Sequence, residues 1–289
     1  MKIAGKTLLI SGASYGIGAA IARAAAADGA QVVLLARTQS ALDQVAGEIR
    51  AAGGTAAAYP VDLTDAAAVE QVAQRVLAEV GPPDVLISNA GSGRWLFIEE
   101  TSPDEAVAMM AMPYFAAFYL TRALLPAMLG RGSGHLVYVN SPASIVAWPG
   151  ATAYTAARWA LRGLVESLRA DLSGSGLRVT SVIPGKVSSG YFEHNPGVEE
   201  RAPGVSRLLP TLTPEQAAAR ILRGIVRGER LIVLPSSYKL LYLVHRALPG
   251  LVRWLAVAPG HATIDAGELT YTRCPLPRPS IAGSSARVR

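Results

Sequence analysis

The stretch Lys6–Asp28, KTLLISGASYGIGAAIARAAAAD, decides the fold. KTLLIS is a short apolar run of strand type, and the alanine-rich run that follows Gly18 reads as a helix. Between them Gly12, Gly16 and Gly18 form G-x-x-x-G-x-G, with Ser14, Tyr15 and Ile17 inside the loop. Glycines there let the backbone turn tightly and approach a pyrophosphate, which then sits at the positive N-terminus of the helix. A glycine triplet alone is a weak signal, since ordinary tight turns also use glycine. This one has the strand before it and the helix after it that a dinucleotide site requires.

The next strand-type run, QVVLLA, ends at Ala36, about where an NAD site places its ribose-binding carboxylate. Arg37 follows instead of an acid. A guanidinium can fork onto a 2′-phosphate, so the expected cofactor is NADP(H). From there strands and helices alternate. A helix over about 40–52, a strand at TAAAYP, Asp62-Leu63, a helix over about 65–80 and the strand DVLIS give the rhythm of a parallel sheet. Asn89-Ala90-Gly91 is a small polar turn at a strand's carboxyl end, where such sheets bind ligands. Ser102-Pro103-Asp104-Glu105 starts a helix with a capping box. That helix runs to about Gly130, with a bend or restart expected at Pro113. HLVYVN, LRVTSVI and RLIVLP are the remaining strands. The expected architecture is a single α/β domain over 1–235, a doubly wound parallel sheet, with a helical extension over 236–258 and a mobile tail over 259–289.

The chemistry is expected in SPASIVAWPGATAYTAAR, residues 141–158. Ser141 offers a hydroxyl at the end of HLVYVN. Tyr154 and Arg158 stand one helical turn apart on one face. A fixed positive charge favours the phenolate of Tyr154, and a phenol of that kind beside a hydroxyl suits gripping and protonating a carbonyl oxygen. Taken alone, a tyrosine and an arginine at this spacing form an ordinary surface pair; the glycine loop and the strand before Ser141 argue for the site.

The 289 residues, 51% hydrophobic and 17% charged with mean hydropathy +0.29, suffice for one large covered sheet. The single cysteine, Cys274, can make no internal disulfide, so a reducing, cytoplasmic compartment is expected. The apolar run TLLI is too short for a signal peptide. Of the net charge of +6, four positive charges lie in Arg273–Arg289, leaving +2 for the rest. No basic stripe interleaved with aromatics runs through the body, which argues against nucleic acid. No metal site is assigned.

Residues 186–212 show no clean periodicity and are expected to form a functional lid or a disordered loop. From Tyr238 to Ala258 the chain reads YKLLYLVHRALPGLVRWLAVA. Its basic residues and the Pro249-Gly250 break argue against a spanning helix. Two amphipathic helices could lie on an anionic membrane, cover a substrate cleft, pack on another subunit or pack on the domain itself.

Together these pieces resemble the short-chain dehydrogenase/reductase family over roughly 5–235. The matches are Ser11-Gly-Ala-Ser-Tyr-Gly-Ile-Gly18, Asp62-Leu63, Asn89-Ala90-Gly91, Ser141, Tyr154 and Pro184-Gly185. The resemblance implies a sheet of about seven strands, cofactor contacts along these motifs and at Val187, and a homodimer or homotetramer. It makes Tyr154 the general acid/base and Ser141 the holder of the substrate oxygen. The family has a lysine where Arg158 stands and an asparagine where Pro113 stands. Ser-x12-Tyr-x3-Arg also resembles halohydrin dehalogenases, relatives of the same fold that close epoxides without a nucleotide. Those carry an aromatic where this chain keeps Gly16. A third reading is a nucleotide-binding sensor with little catalysis. Ser144, Trp148, Tyr191, Phe192 and the apolar C-terminal segment make a hydrophobic ketone or alcohol the expected substrate.

Overall fold

Each strand-type run forms a strand in the computed structural model, which describes residues 2–191, 195, 202, 209–257, 263–266 and 269–272. In chain order the first half gives β1 (Thr7–Ser11), α1 (Gly16–Ala27), β2 (Gln31–Ala36), α2 (Gln39–Ala51), β3 (Thr55–Pro60), α3 (Ala66–Glu79) and β4 (Val85–Ser88). The second half gives α4 (Pro103–Met110), α5 (Ala116–Arg131), β5 (Gly134–Val139), α6 (Thr152–Asp171), β6 (Leu177–Pro184), α7 (Pro214–Arg227) and β7 (Leu231–Leu234). All seven strands pair in parallel in the order β3-β2-β1-β4-β5-β6-β7. The chain therefore reverses direction across the sheet between β1 and β4, and the crevice at their carboxyl ends is where such sheets bind ligands.

The alternation of side chains along each strand divides the core into two layers. Leu8 and Ile10 of β1, Val32 and Leu34 of β2 face α1, α2 and α7. Leu9, Val33, Leu35 and Leu86 face α3, α5 and α6. Both layers are fully buried, which is why these strands read as nearly continuous apolar runs.

The helix opened by Ser102 bends where Pro113 was expected to bend it. Ser102 Oγ accepts from Glu105 N at 3.2 Å, and the Glu105 carboxylate accepts from Ser102 N at 3.1 Å, completing the capping box. Proline disfavours helical backbone in the residue before it. Met112 accordingly sits at φ −135°, ψ 108°, inside a π-type turn over Ala111–Phe115. The combined helix Pro103–Arg131 is long and apolar enough to cross a membrane, but its stripe Ala116, Leu120, Leu124 and Met128 is buried against the sheet.

After β7, α8 (Ser236–Ala247) and α9 (Pro249–Val257) form a helical pair broken at Leu248. Beyond it the sequence led us to expect a mobile tail. Two short antiparallel strands stand there, β8 (Thr263–Ala266) and β9 (Leu269–Thr272), paired from Thr263 with Thr272 to Ala266 with Leu269. The rest of 258–289, including Cys274, lies outside the described residues.

Candidate active site

The β1–α1 loop is shaped around its glycines. Gly12 and Gly16 adopt φ +66° and +59°, the left-handed region that glycine enters without steric cost. Gly18 is held for a different reason. A Cβ there would press on the Gly12 carbonyl and lie 2.6 Å from Asn89 Nδ2. Asn89 Nδ2 donates to the carbonyls of Ser11 and Gly12, both at 3.1 Å. In return Ser11 Oγ accepts from the Asn89 and Ala90 amides at 3.0 and 3.1 Å. The motif residues of β1 and β4 thus clamp one another and leave the loop open above α1.

Arg37 is exposed at the end of β2. The first turn of α2 beside it carries no acidic residue. The nearby Asp62 is occupied: its Oδ1 accepts from Thr64 N at 2.9 Å and Thr64 Oγ1 at 2.7 Å. Those bonds, the backbone one foremost, hold its carboxyl below the usual range, with a smaller contribution from Arg37.

At the other end of the crevice β5 delivers Ser141, and the first turns of α6 deliver Tyr154 and Arg158. All are at most 6% exposed. Ser141 Oγ accepts from Ala143 N at 3.2 Å, which leaves its own proton available to a ligand. Arg158 does not form the surface pair that its spacing alone allows. Its guanidinium carbon lies 4.9 Å from the centroid of the Tyr154 ring, over the ring face. Nη1 donates to the Val139 carbonyl at 3.3 Å, and a Cβ on Gly91 would come within 2.9 Å of Nη2. Among the described residues no carboxylate pairs with this buried cation.

Aromatic side chains wall the phenol. Trp95 lies 5.6 Å from Tyr154 and 5.1 Å from Trp148, centroid to centroid. Tyr191 approaches the same phenol. Burial pushes the Tyr191 hydroxyl above the usual range, the neighbouring Tyr154 raises it further, and Arg158 counteracts. Asn195 fastens this segment down, accepting from Gly93 N at 2.8 Å and donating to the Tyr191 carbonyl at 2.7 Å.

One cavity of about 1260 Å³ joins the two ends. Gly12, Ser14, Tyr15, Gly16, Ile17 and Arg37 line its first end, and Leu63, Asn89, Ala90 and Gly91 its floor. Ser141, Trp148, Tyr154, Arg158 and Tyr191 line the second end, with Pro184, Gly185 and Val187 between.

Residues 6–196 match the family described as short chain dehydrogenase. The chain belongs to the short-chain dehydrogenase/reductase family. Among curated relatives, a fatty acyl-CoA reductase of Acinetobacter baylyi is 34% identical over 233 residues, covering 80% of this chain and 76% of that protein. A metagenomic short-chain oxidoreductase solved with NADP is 32% identical with TM-score 0.68, covering 81% of this chain and 98% of the other. A Burkholderia phymatum short-chain dehydrogenase/reductase solved with NAD, 24% identical, shares the fold at TM-score 0.77 over 88% of this chain and 97% of its own.

Three of the expected site residues do not line the cavity. Gly18 packs beneath the loop, Asp62 turns to Thr64, and Ser144 donates from Oγ to the Ser141 carbonyl at 2.6 Å. Phe192 lies outside the described residues. Sequence reasoning passed over Trp95, Met112 and Asn195, all of which line the cavity. The signal for Trp95 was available: a large aromatic in the glycine-rich turn after Asn89-Ala90-Gly91, at a ligand-binding strand end. The extension also belongs to the site. Tyr238, Val252 and Ala256 of α8 and α9 wall the cavity, and a Cβ on Gly185 would lie 2.8 Å from Tyr238 Cζ.

Proposed function

We propose that this protein is an NADP(H)-dependent oxidoreductase that interconverts a hydrophobic ketone and the corresponding alcohol, with Tyr154 as general acid and base. The observation that carries the reading is the single cavity running from the glycine loop and Arg37 to Ser141, Tyr154 and Arg158. The loop residues Gly12, Ser14, Tyr15, Gly16 and Ile17 line the cavity at the N-terminus of α1, which fits a dinucleotide phosphate held by backbone amides there. Arg37, with no acid in the adjoining helical turn, supports the 2′-phosphate form. When bound, the cofactor supplies the hydride that reduces the carbonyl carbon.

The chain's own residues manage the oxygen and the proton. Ser141 donates a hydrogen bond to the carbonyl oxygen and fixes it beside Tyr154. Tyr154 gives that oxygen its proton. The Arg158 guanidinium over the ring stabilises the negative charge that develops on the phenol oxygen. The phenolate regains a proton from solvent by a route that uses neither a lysine nor an asparagine, since Arg158 and Pro113 occupy those positions. Trp95, Trp148, Met112, Val146, Leu209 and Val252 give the substrate end an apolar wall, which supports a hydrophobic substrate. Exposed Phe115 just before α5, Phe118 on α5 and Trp159 on α6 support a homo-oligomer.

A second reading rests on Arg158. A guanidinium buried over the Tyr154 ring supports a tyrosinate, which would take the hydroxyl proton of a haloalcohol bound at Ser141 so that the epoxide closes as halide leaves.

The test is paired. NADPH and NADH are titrated by fluorescence and thermal shift, then NADPH oxidation with hydrophobic ketones is followed for wild type and Tyr154→Phe. Tight NADPH binding with turnover lost in Tyr154→Phe is expected. Halide release from a vicinal haloalcohol without any cofactor would favour the second reading, and tight NADPH binding with silence in both assays would favour a sensor.

A further inference from the structure

The helical pair α8–α9 has two unlike faces. Its inner face, with Tyr238, Val252 and Ala256, walls the cavity. Its outer face exposes Leu240 by 65%, Leu243 by 53%, Leu248 by 57% and Leu251 by 46%. Lys239, Arg246 and Arg253 are exposed among these leucines, and no aspartate or glutamate occurs between Arg230 and Ile264. Long basic side chains that flank exposed leucines keep their charge in water while their stems cover apolar surface.

We propose that the outer face of α8–α9 docks on an anionic lipid bilayer. The helices have 12 and 9 residues, too short to span and suited to lying in the interface plane. Burial of the leucines in the acyl boundary supplies the apolar contribution, and the three cations supply attraction to acidic headgroups. Charge also argues against a second copy as the occupant. A two-fold interface through this face would set three cations, which meet no carboxylate among the described residues, against three more. The aromatic face of α5 carries no such bias, since Arg122 there is paired with Glu70 at 3.7 Å. Docking in this way sets the wall of the cavity against the bilayer, so that a lipid-dissolved compound is close to the substrate end. The proposal stands independently of the activity proposed above, because membrane partition is read without turnover.

The experiment is co-sedimentation of the full chain with vesicles of phosphatidylcholine alone and of phosphatidylcholine mixed with phosphatidylglycerol, at low and high salt. Two variants accompany it: Lys239→Gln/Arg246→Gln/Arg253→Gln, and Leu240→Ser/Leu243→Ser/Leu251→Ser. Wild type is expected to bind the anionic vesicles and to be released by salt. Each lost cation should weaken partition about fivefold. The leucine variant should not bind either vesicle. Thermal melts check that both variants fold; the charge variant changes only exposed residues and keeps the test open if the leucine variant does not fold. Failure of wild type to sediment with anionic vesicles, or unchanged partition of the charge variant, would overturn the proposal. So would a leucine variant that binds vesicles normally but passes from oligomer to monomer in size-exclusion chromatography.

Discussion

Arg37→Ala should collapse the cofactor preference while leaving the fold untouched. The backbone at this corner is held by the sheet: Ala36 is 7% exposed and its carbonyl accepts from Val61 N at 2.9 Å. Truncating an exposed side chain beyond it disturbs neither bond. A 2′-phosphate arriving here faces one guanidinium and a helix start without acidic residues, while Asp62 is committed to Thr64. A forked charged contact contributes about 1.5–3 kcal/mol, and solvent exposure puts this one near the lower end. About 1.5 kcal/mol is roughly tenfold in affinity. Fluorescence titration should therefore show NADPH binding weakened about tenfold in the variant, with NADH little changed. The loss should shrink at high salt, because the contact is exposed. Equal affinity of the wild type for the two cofactors, or an unchanged ratio in Arg37→Ala, would refute the reasoning.

Gly18→Ala should destabilise the protein by about 1–3 kcal/mol or more and weaken cofactor binding, because its Cβ meets backbone that cannot withdraw. Gly47→Ala is the matched control, an exposed position in α2 with nothing within 4 Å of the new Cβ, and should raise the melting temperature. Arg158→Lys should retain or increase NADPH-dependent carbonyl reduction, since an ammonium keeps the charge and can exchange a proton; a loss of reduction with halide release intact in the wild type would favour the dehalogenase reading. His135 provides a pH prediction. Burial foremost, and then the charge of Arg178, hold its imidazole down to about 4, against an ordinary value of 6.5. Below pH 6.5 the unfolded chain takes up a proton that the folded chain refuses, so stability should fall as pH drops from about 6.5 to about 4, by up to roughly 3 kcal/mol. His135→Gln should flatten that part of the profile in thermal melts across the same window.

The parts of this protein legible in its sequence are those written in local periodicity. Buried runs such as TLLI and VVLLA alternate between two covered faces, and their apolar continuity gave strand, sheet and order of elements directly. The bend at Met112 was equally local, since proline constrains the residue before it. Motif residues were legible as a set but not in their individual duties. Gly18, Asp62 and Ser144 sit within the expected motifs or beside Ser141, yet none of them lines the cavity: Gly18 packs on the Gly12 carbonyl, Asp62 bonds Thr64 at the surface, and Ser144 bonds the Ser141 carbonyl. What could not be read was pairing between distant stretches. Nothing near Gly185 announces that the ring of Tyr238 will lie on it, and nothing near Gly93 announces Asn195. The sequence therefore left four roles open for residues 238–258, and only packing shows that the helices wall the cavity.

The two departures from the family pattern, Arg158 and Pro113, are each accommodated locally. Arg158 is bulkier than a lysine and carries a planar head, and it finds room because Gly91 presents no side chain to its Nη2 and because the Tyr154 ring offers a face to stack on. The head is then fixed on three sides, by Val139, Gly91 and Tyr154. A fixed guanidinium keeps positive charge beside the phenol at every working pH but cannot pass a proton onward. Pro113 contributes no side-chain donor on the neighbouring helix either; its bend instead turns Met112 into the cavity. Charge stabilisation and proton supply, which a lysine can serve together, are here separated. Tyr191, pressed against Tyr154 and tied down through Asn195, puts a further hydroxyl at this end of the cavity in addition to Ser141.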